Sequence, residues 1–184
     1  MIRIFDRNTM ELLFVYPYNT FRGRDLRGLP LKGANLSDQD LEGAILEGMD
    51  LEDTEFSNSN IKKSNFRKTI LVETIFNQAQ AQEAEFNDAK CTSSTWAGAI
   101  ISEADYSGSD LERANFKDVI ARKTKFVRIK SMKGVILWNA DCSEADFSGT
   151  NLNEVNDIDK AGLILDRATG VNNVRFNDQK IKPR

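Results

Sequence analysis

The sequence predicts an all-β solenoid, and three regularities carry that reading. Large apolar residues return every fifth position, small residues stand two places before them, and glycines gather two places after them. The stretch Gly33 to Phe56, GANLSDQDLEGAILEGMDLEDTEF, shows the first regularity in Leu36, Leu41, Leu46, Leu51 and Phe56. A helix face returns near every 3.6 residues and a strand face every 2. A return of five asks for a different backbone.

Taking each large apolar residue as the centre of one step, 22 centres run from Phe21 to Phe126 without a slip. After one extra residue within Val127–Ser131, five more follow: Met132, Leu137, Cys142, Phe147 and Leu152. From Thr54 to Thr124, all 15 positions two before a centre are Ala, Ser, Thr or Val. Nine of the 11 glycines stand two after a centre. A short extended piece points its first and third residues inward and its second outward. The chain must then turn, and glycine accepts the positive φ that tight turns demand. Each step is therefore one short wall, with a small residue in, a polar residue out, a large residue in, and a corner.

Between residues 56 and 126 the aromatic centres Phe56, Phe66, Phe76, Phe86, Trp96, Tyr106, Phe116 and Phe126 are spaced by ten, and the centres between them are never aromatic. Bulky and slim walls alternate, so the number of walls per coil is even. Four is the smallest number that leaves room for a core, with two aromatic walls facing across it. Filling that core without overlap requires slimmer residues on the other pair.

Ala34-Asn35-Leu36, Ala104-Asp105-Tyr106, Ala114-Asn115-Phe116, Ala145-Asp146-Phe147 and Thr150-Asn151-Leu152 carry a resemblance to the pentapeptide-repeat family. Its pattern is a small residue, then Asp or Asn, then Leu or Phe, then two polar residues. The resemblance covers residues 19 to 155 and implies a right-handed quadrilateral β-helix of about seven coils, stacked about 4.8 Å apart.

The organisation expected is an N-terminal capping segment over 1–18, the β-helix over 19–155, and a C-terminal cap and tail over 156–184. A solenoid end exposes core and unpaired edges and needs a cap. Ile2–Phe5 and Leu12–Tyr16, around Asp6-Arg7-Asn8, read as a hairpin. Asn156 or Asp157 could cap a short helix through Ala168, with Gly170 as its stop and Ile158, Ala161, Ile164, Leu165 and Ala168 covering the last coil. Gln179–Arg184 reads as a frayed basic tail. Asn19, Arg24, Leu29, Gln39 and Met49 occupy positions where small residues belong, and Pro30 an outward slot, which blurs the start of regular coiling. The slip at Val127–Ser131 reads as a bulge or a functional loop.

Composition narrows the function. The net charge is -3 and argues against direct nucleic-acid affinity. No apolar run approaches the roughly 20 residues of a membrane helix, and no signal-peptide block opens the chain. Two unpaired cysteines suit a reducing, cytoplasmic setting. There is no histidine, so the usual general base and commonest zinc ligand are missing. Neither a phosphate-binding loop nor a CxxC occurs. No catalytic, metal or cofactor site is expected. Cys91 and Cys142 are centres and read as core filler.

Two surfaces stand out. Asp38, Asp40, Glu42, Glu47, Asp50, Glu52, Asp53 and Glu55 form an acidic belt with no basic residue among them, while Lys117, Arg122, Lys123, Lys125, Arg128, Lys130 and Lys133 form a basic one. Outward slots normally filled by Asp or Asn hold Ile45, Ile70, Ile75, Ile100, Ile120 and Ile136, with Trp138 near the last. Ile75, Ile100, Ile120, Ile136 and Trp138 are the candidate partner surface, against the alternative that stacked β-branched residues merely stabilise a sheet face. The leading function is therefore non-catalytic protein binding or scaffolding with an unknown partner, or homodimerisation through an end cap or the isoleucine surface. The alternative, implied by the resemblance to fluoroquinolone-resistance members, is a DNA-mimicking inhibitor or protector of DNA gyrase. That role needs a continuous acidic stripe, and the basic belt would interrupt it.

Overall fold

The computed structural model describes residues 1–156, 158 and 162–171. Its only extended strands there are β1 (Ile2–Phe5) and β2 (Leu12–Tyr16). The rest is a β-helix built from single-residue bridges. Asp25 pairs with Ile45, Asp40 with Asn60 and Asn35 with Glu55, all in parallel and 20 residues apart. Twenty residues per coil at five per wall makes four walls. Wall A carries outward positions from Asp40 through Ile100 and Ile120 to Ile164. Wall B runs from Asp25 to Thr169, wall C from Asp50 to Ser131, and wall D from Asn35 to Ile136.

The five-residue period is also the period of the backbone hydrogen bonds. Around Ile101, the Ile100 N–H donates back to Ala79 at 3.0 Å, and the Ile101 N–H forward to Ile120 at 2.8 Å. The corner N–H of Glu103 donates forward to Arg122 at 2.9 Å, and the Ala104 N–H closes the turn on Ile101 at 3.0 Å. One N–H per step is left over, at the first corner residue, and the outward Asp or Asn accepts it. The Asp105 carboxylate takes the Ser107 N–H at 2.9 Å, and Asn115 takes that of Lys117 at 3.0 Å. The preference for Asp or Asn at that slot is thus a backbone-satisfaction rule.

The second corner residue has positive φ whether or not it is glycine: Gly98 at 69°, but also Glu73 at 55° and Lys63 at 57°. A side chain there costs roughly 1–2 kcal/mol, which the coil's hydrogen bonds override. Glu73→Gly, which disturbs no ion pair among the described residues, is therefore expected to raise unfolding free energy by about 0.5–1 kcal/mol, and Glu73→Val to lower it. Urea unfolding of the two variants checks this.

The centres fill the interior as alternating walls require. Aromatic rings stack coil on coil along wall D (Phe76 on Trp96, 4.0 Å) and along wall B (Phe86 on Tyr106, 4.7 Å). Across the core they meet edge to face, as Phe86 meets Trp96 at 5.1 Å. Walls A and C between them hold the slim centres such as Ala81 and Cys91, both fully buried. Buried hydroxyls at the small positions bond to backbone, as Thr74 does to the Leu51 carbonyl at 2.9 Å.

The slip within Val127–Ser131 is a bulge. Lys130 donates its N–H to Ser109 at 2.8 Å, whereas the Ser131 carbonyl accepts from Leu111 at 3.1 Å. Two residues thus share the work of one opposite Asp110, and the register resumes. At the start, Pro30 marks a gap, because Asp25 and Asn35 have bridges and position 30 has none. The unusual Arg24 lies over the Tyr18 ring, 4.3 Å from its centroid.

The antiparallel β1–β2 pair takes the place of a preceding coil. Phe5 accepts the Asn35 N–H at 2.8 Å, and Asp6 forms an antiparallel bridge with Ala34. Ile4 and Tyr16 are buried against the first coils.

The expected C-terminal helix is not formed where the structure describes it. After a short 3-10 turn at Leu152–Glu154, residues 162–170 rejoin the stack, with Ile164 bridged to Asp141 and Thr169 to Asp146. The reason is the open end of the coil. The N–H groups of Cys142, Glu144 and Phe147 need acceptors, and Ile164, Asp166 and Thr169 supply them at 2.9, 2.7 and 2.9 Å. A helix would leave those donors orphaned. Gly170 is no helix stop; it has positive φ, and a Cβ there would come within 2.3 Å of the Phe147 backbone. Asp157, Ala161 and the tail Gln179–Arg184 lie outside the described residues.

Candidate functional site

The isoleucine surface assembles in part. Ile100 and Ile120 are bridged neighbours on wall A, and Ile164 follows them after Asp141. Ile136 lies on wall D, and Trp138 opens the corner from D into A, its carbonyl accepting the Asp118 N–H at 2.8 Å. Ile75 is also on wall D, but Thr95 and Asn115 separate it from Ile136. Exposure reaches 40% for Ile120, 42% for Trp138 and 49% for Ile164, whereas Ile75, Ile100 and Ile136 are half-buried. Ile70, 41% exposed, stands alone on wall C.

Ile164 was missed by sequence reasoning because it was assigned to a helix. Placing residues 162–170 as coil would have put it in the wall A column.

Each isoleucine forgoes the Asx cap. No hydrogen bond reaches the N–H of Ser102, Arg122 or Trp138 among the described residues, each being the first corner residue after an isoleucine. At Ile120 and Trp138 an uncapped N–H adjoins exposed apolar surface. Between Ile120 and Ile164 the polar contribution is one tight pair, Arg122 Nε to Asp141 at 2.6 Å. The Asp141 carboxyl also takes the Ser143 hydroxyl and N–H, and despite burial these partners hold it below the usual carboxylate range.

The acidic belt is compensated from outside its own stretch of sequence. Arg22 meets Glu42 at 2.7 Å and Asp40 at 3.4 Å, and Lys32 meets Glu52 at 2.6 Å and Asp50 at 3.0 Å. Arg7, reaching down from the hairpin turn, meets Asp53 at 2.7 Å and Glu55 at 3.7 Å. Of the eight carboxylates only Asp38 and Glu47 have no cation within salt-bridge distance among the described residues. Apart from Arg122, the basic belt is looser, its contacts including Lys125 to Asp105 at 3.7 Å and Lys130 to Asp88 at 3.9 Å.

Cys91 and Cys142 are free and buried, and burial pushes both thiols up, Cys142 to about 12. They stay protonated and unreactive at neutral pH. Among the described residues no helix is long and apolar enough to cross a membrane, and no group of three or more Cys, Asp or Glu could hold a metal ion.

No curated protein sequence matches the chain. Among solved structures, it is similar to full-length QnrB1, a plasmid-mediated fluoroquinolone resistance protein. The two are 17% identical over 88% of this chain and 85% of that one, with a TM-score of 0.46. HetL, a pentapeptide repeat protein involved in heterocyst differentiation regulation in the cyanobacterium Nostoc sp. strain PCC 7120, is 17% identical over 78% of this chain and 85% of its own, with a TM-score of 0.31. A pentapeptide repeat protein of the Arabidopsis thaliana thylakoid lumen is 27% identical over 59% of this chain and 65% of its own, with a TM-score of 0.25. Eight copies of the pentapeptide-repeat family model match residues 31–67 and 131–156. A five-residue period runs through both the sequence and its hydrogen bonds, and over residues 31–67 and 131–156 the chain carries the pentapeptide repeats that the family model describes.

Proposed function

We propose that this chain is a non-catalytic solenoid that binds a protein partner across wall A and its corner with wall D, through Ile100, Ile120, Ile164 and Trp138. The observation that supports this is the gathering of two costs on one face, whereas Ile70 bears them alone on wall C. Each isoleucine gives up the cap that Asp or Asn supplies elsewhere, and Ile120, Ile164 and Trp138 leave apolar surface in water. A partner that covers them offsets both. Stacked β-branched side chains alone would account for Ile100 and Ile120, but not for Trp138 at a corner.

The alternative is a DNA mimic acting on gyrase. It requires uncompensated acid along the rod, and Arg7, Arg22 and Lys32 take up six of the eight belt carboxylates. The expected result of a gyrase supercoiling titration is no inhibition and no fluoroquinolone protection at a large molar excess of protein. Inhibition at micromolar protein, weakened by reversing Asp50 and Glu52, would displace the proposal. In affinity capture, Ile120→Asp with Trp138→Asp is expected to weaken retention of the partner at least about tenfold relative to wild type, while Ile70→Asp on wall C leaves it intact. Equal loss in both variants would deny wall A its role.

A further inference from the structure

Seven of the 11 large apolar residues exposed among the described residues lie in the first 18 positions, apart from the surface proposed above. Their centre is the outer face of the hairpin. Ile4 and Tyr16 point into the solenoid and are buried, while Phe5 and Val15 are exposed. An antiparallel sheet with one covered face carries polar residues on the other. This one carries apolar residues on both. A register shift between Ile4 and Phe5 leaves Leu12 and Leu13 both exposed, which widens the outer patch. The same bulge, with Pro17 just after β2, blunts the strand edge, so an occupant meets the face rather than extending the sheet.

The charges identify the occupant. Of the ionic groups in this segment, the terminal amine donates to Asn19, Asp6 accepts the Asn8 and Thr9 N–H groups, and Arg7 is paired with Asp53. Arg3 and Glu11 alone have neither an ion pair nor a side-chain hydrogen bond among the described residues. Arg3 lies beside Val15 at the chain-terminal end of the patch, and Glu11 adjoins Leu12 at the turn end. One cation and one anion at opposite ends of an apolar face are self-complementary. A two-fold axis through its middle brings Arg3 of each copy to Glu11 of the other. We infer that the outer face of the β1–β2 hairpin binds a second copy of this chain, forming an isologous dimer.

Sedimentation velocity of the full chain tests this. The wild type is expected to dimerise at micromolar concentration and Val15→Lys to be monomeric, with unchanged far-UV circular dichroism. Arg3→Glu is expected to weaken the dimer about tenfold and the swap Arg3→Glu with Glu11→Arg to restore it. A wild type that stays monomeric would overturn the inference, as would a dimer indifferent to Val15→Lys or one dissolved by Ile120→Asp. Monomeric wild type that binds phosphatidylcholine vesicles, with Val15→Lys unable to, would assign the face to a lipid surface and also overturn it.

Discussion

Phe86→Ala is expected to lower the unfolding free energy by about 3–5 kcal/mol, among the largest losses any single truncation in this chain would cause. Phe86 is fully buried and is held on four sides. It stacks on Phe66 at 5.0 Å and Tyr106 at 4.7 Å, and meets Phe76 at 6.1 Å and Trp96 at 5.1 Å edge to face. Removing it opens a void between two walls that the backbone cannot close, because each coil is fixed by hydrogen bonds to the next. Each coil contacts only its neighbours, so a weak rung also divides the stack and broadens the unfolding transition. Urea unfolding followed by circular dichroism reads both effects. A loss below about 1 kcal/mol would show that the aromatic ladder does not carry the core.

The converse prediction concerns wall identity. Ala81→Phe places a ring on slim wall A between Phe76 and Phe86 of the aromatic walls, and is expected to cost about 3 kcal/mol or prevent folding. Leu46→Phe puts the same ring on wall B one coil before Phe66, where the aromatic column already runs. It is expected to cost less than about 1.5 kcal/mol. Ala81 and Leu46 are both fully buried, so burial alone does not separate them. If the two variants lost equal stability, the alternation of bulky and slim walls would be incidental to packing.

Much of this architecture was legible because the period of five appears in residue identity. The alternating rings from Phe56 to Phe126 implied facing aromatic walls, and the stacks on walls B and D are those walls. The alternation in Ile2–Phe5 and Leu12–Tyr16 located the hairpin. The Asx caps were visible only as a preference for Asp and Asn.

Two things were obscured, each for a physical reason. The end of the stack resembled a helix because Ile158, Ile164, Leu165 and Ala168 fall at helical spacing once the step register lapses. The structure instead turns Ile164 outward and buries Leu165. The acidic belt holds no basic residue in its own stretch because its cations lie one coil away. Arg22 precedes Glu42, and Lys32 precedes Glu52, by the 20-residue coil. Applying that offset would have found both pairs, but not Arg7, which arrives from the hairpin. The outer face of the hairpin was legible in LLFVY, where no polar residue marks a solvent side.

Wall A as the working surface is the central claim, and site-specific photo-crosslinking tests it most directly. A photoreactive phenylalanine analogue is placed singly at Ile120, at Ile70 on wall C and at Asp50 in the acidic belt, and irradiated in cells that make the protein natively. The account predicts one discrete protein adduct from position 120 and none from 70 or 50. An adduct from position 50 with none from 120 would contradict it and return the acidic belt to the centre of the function.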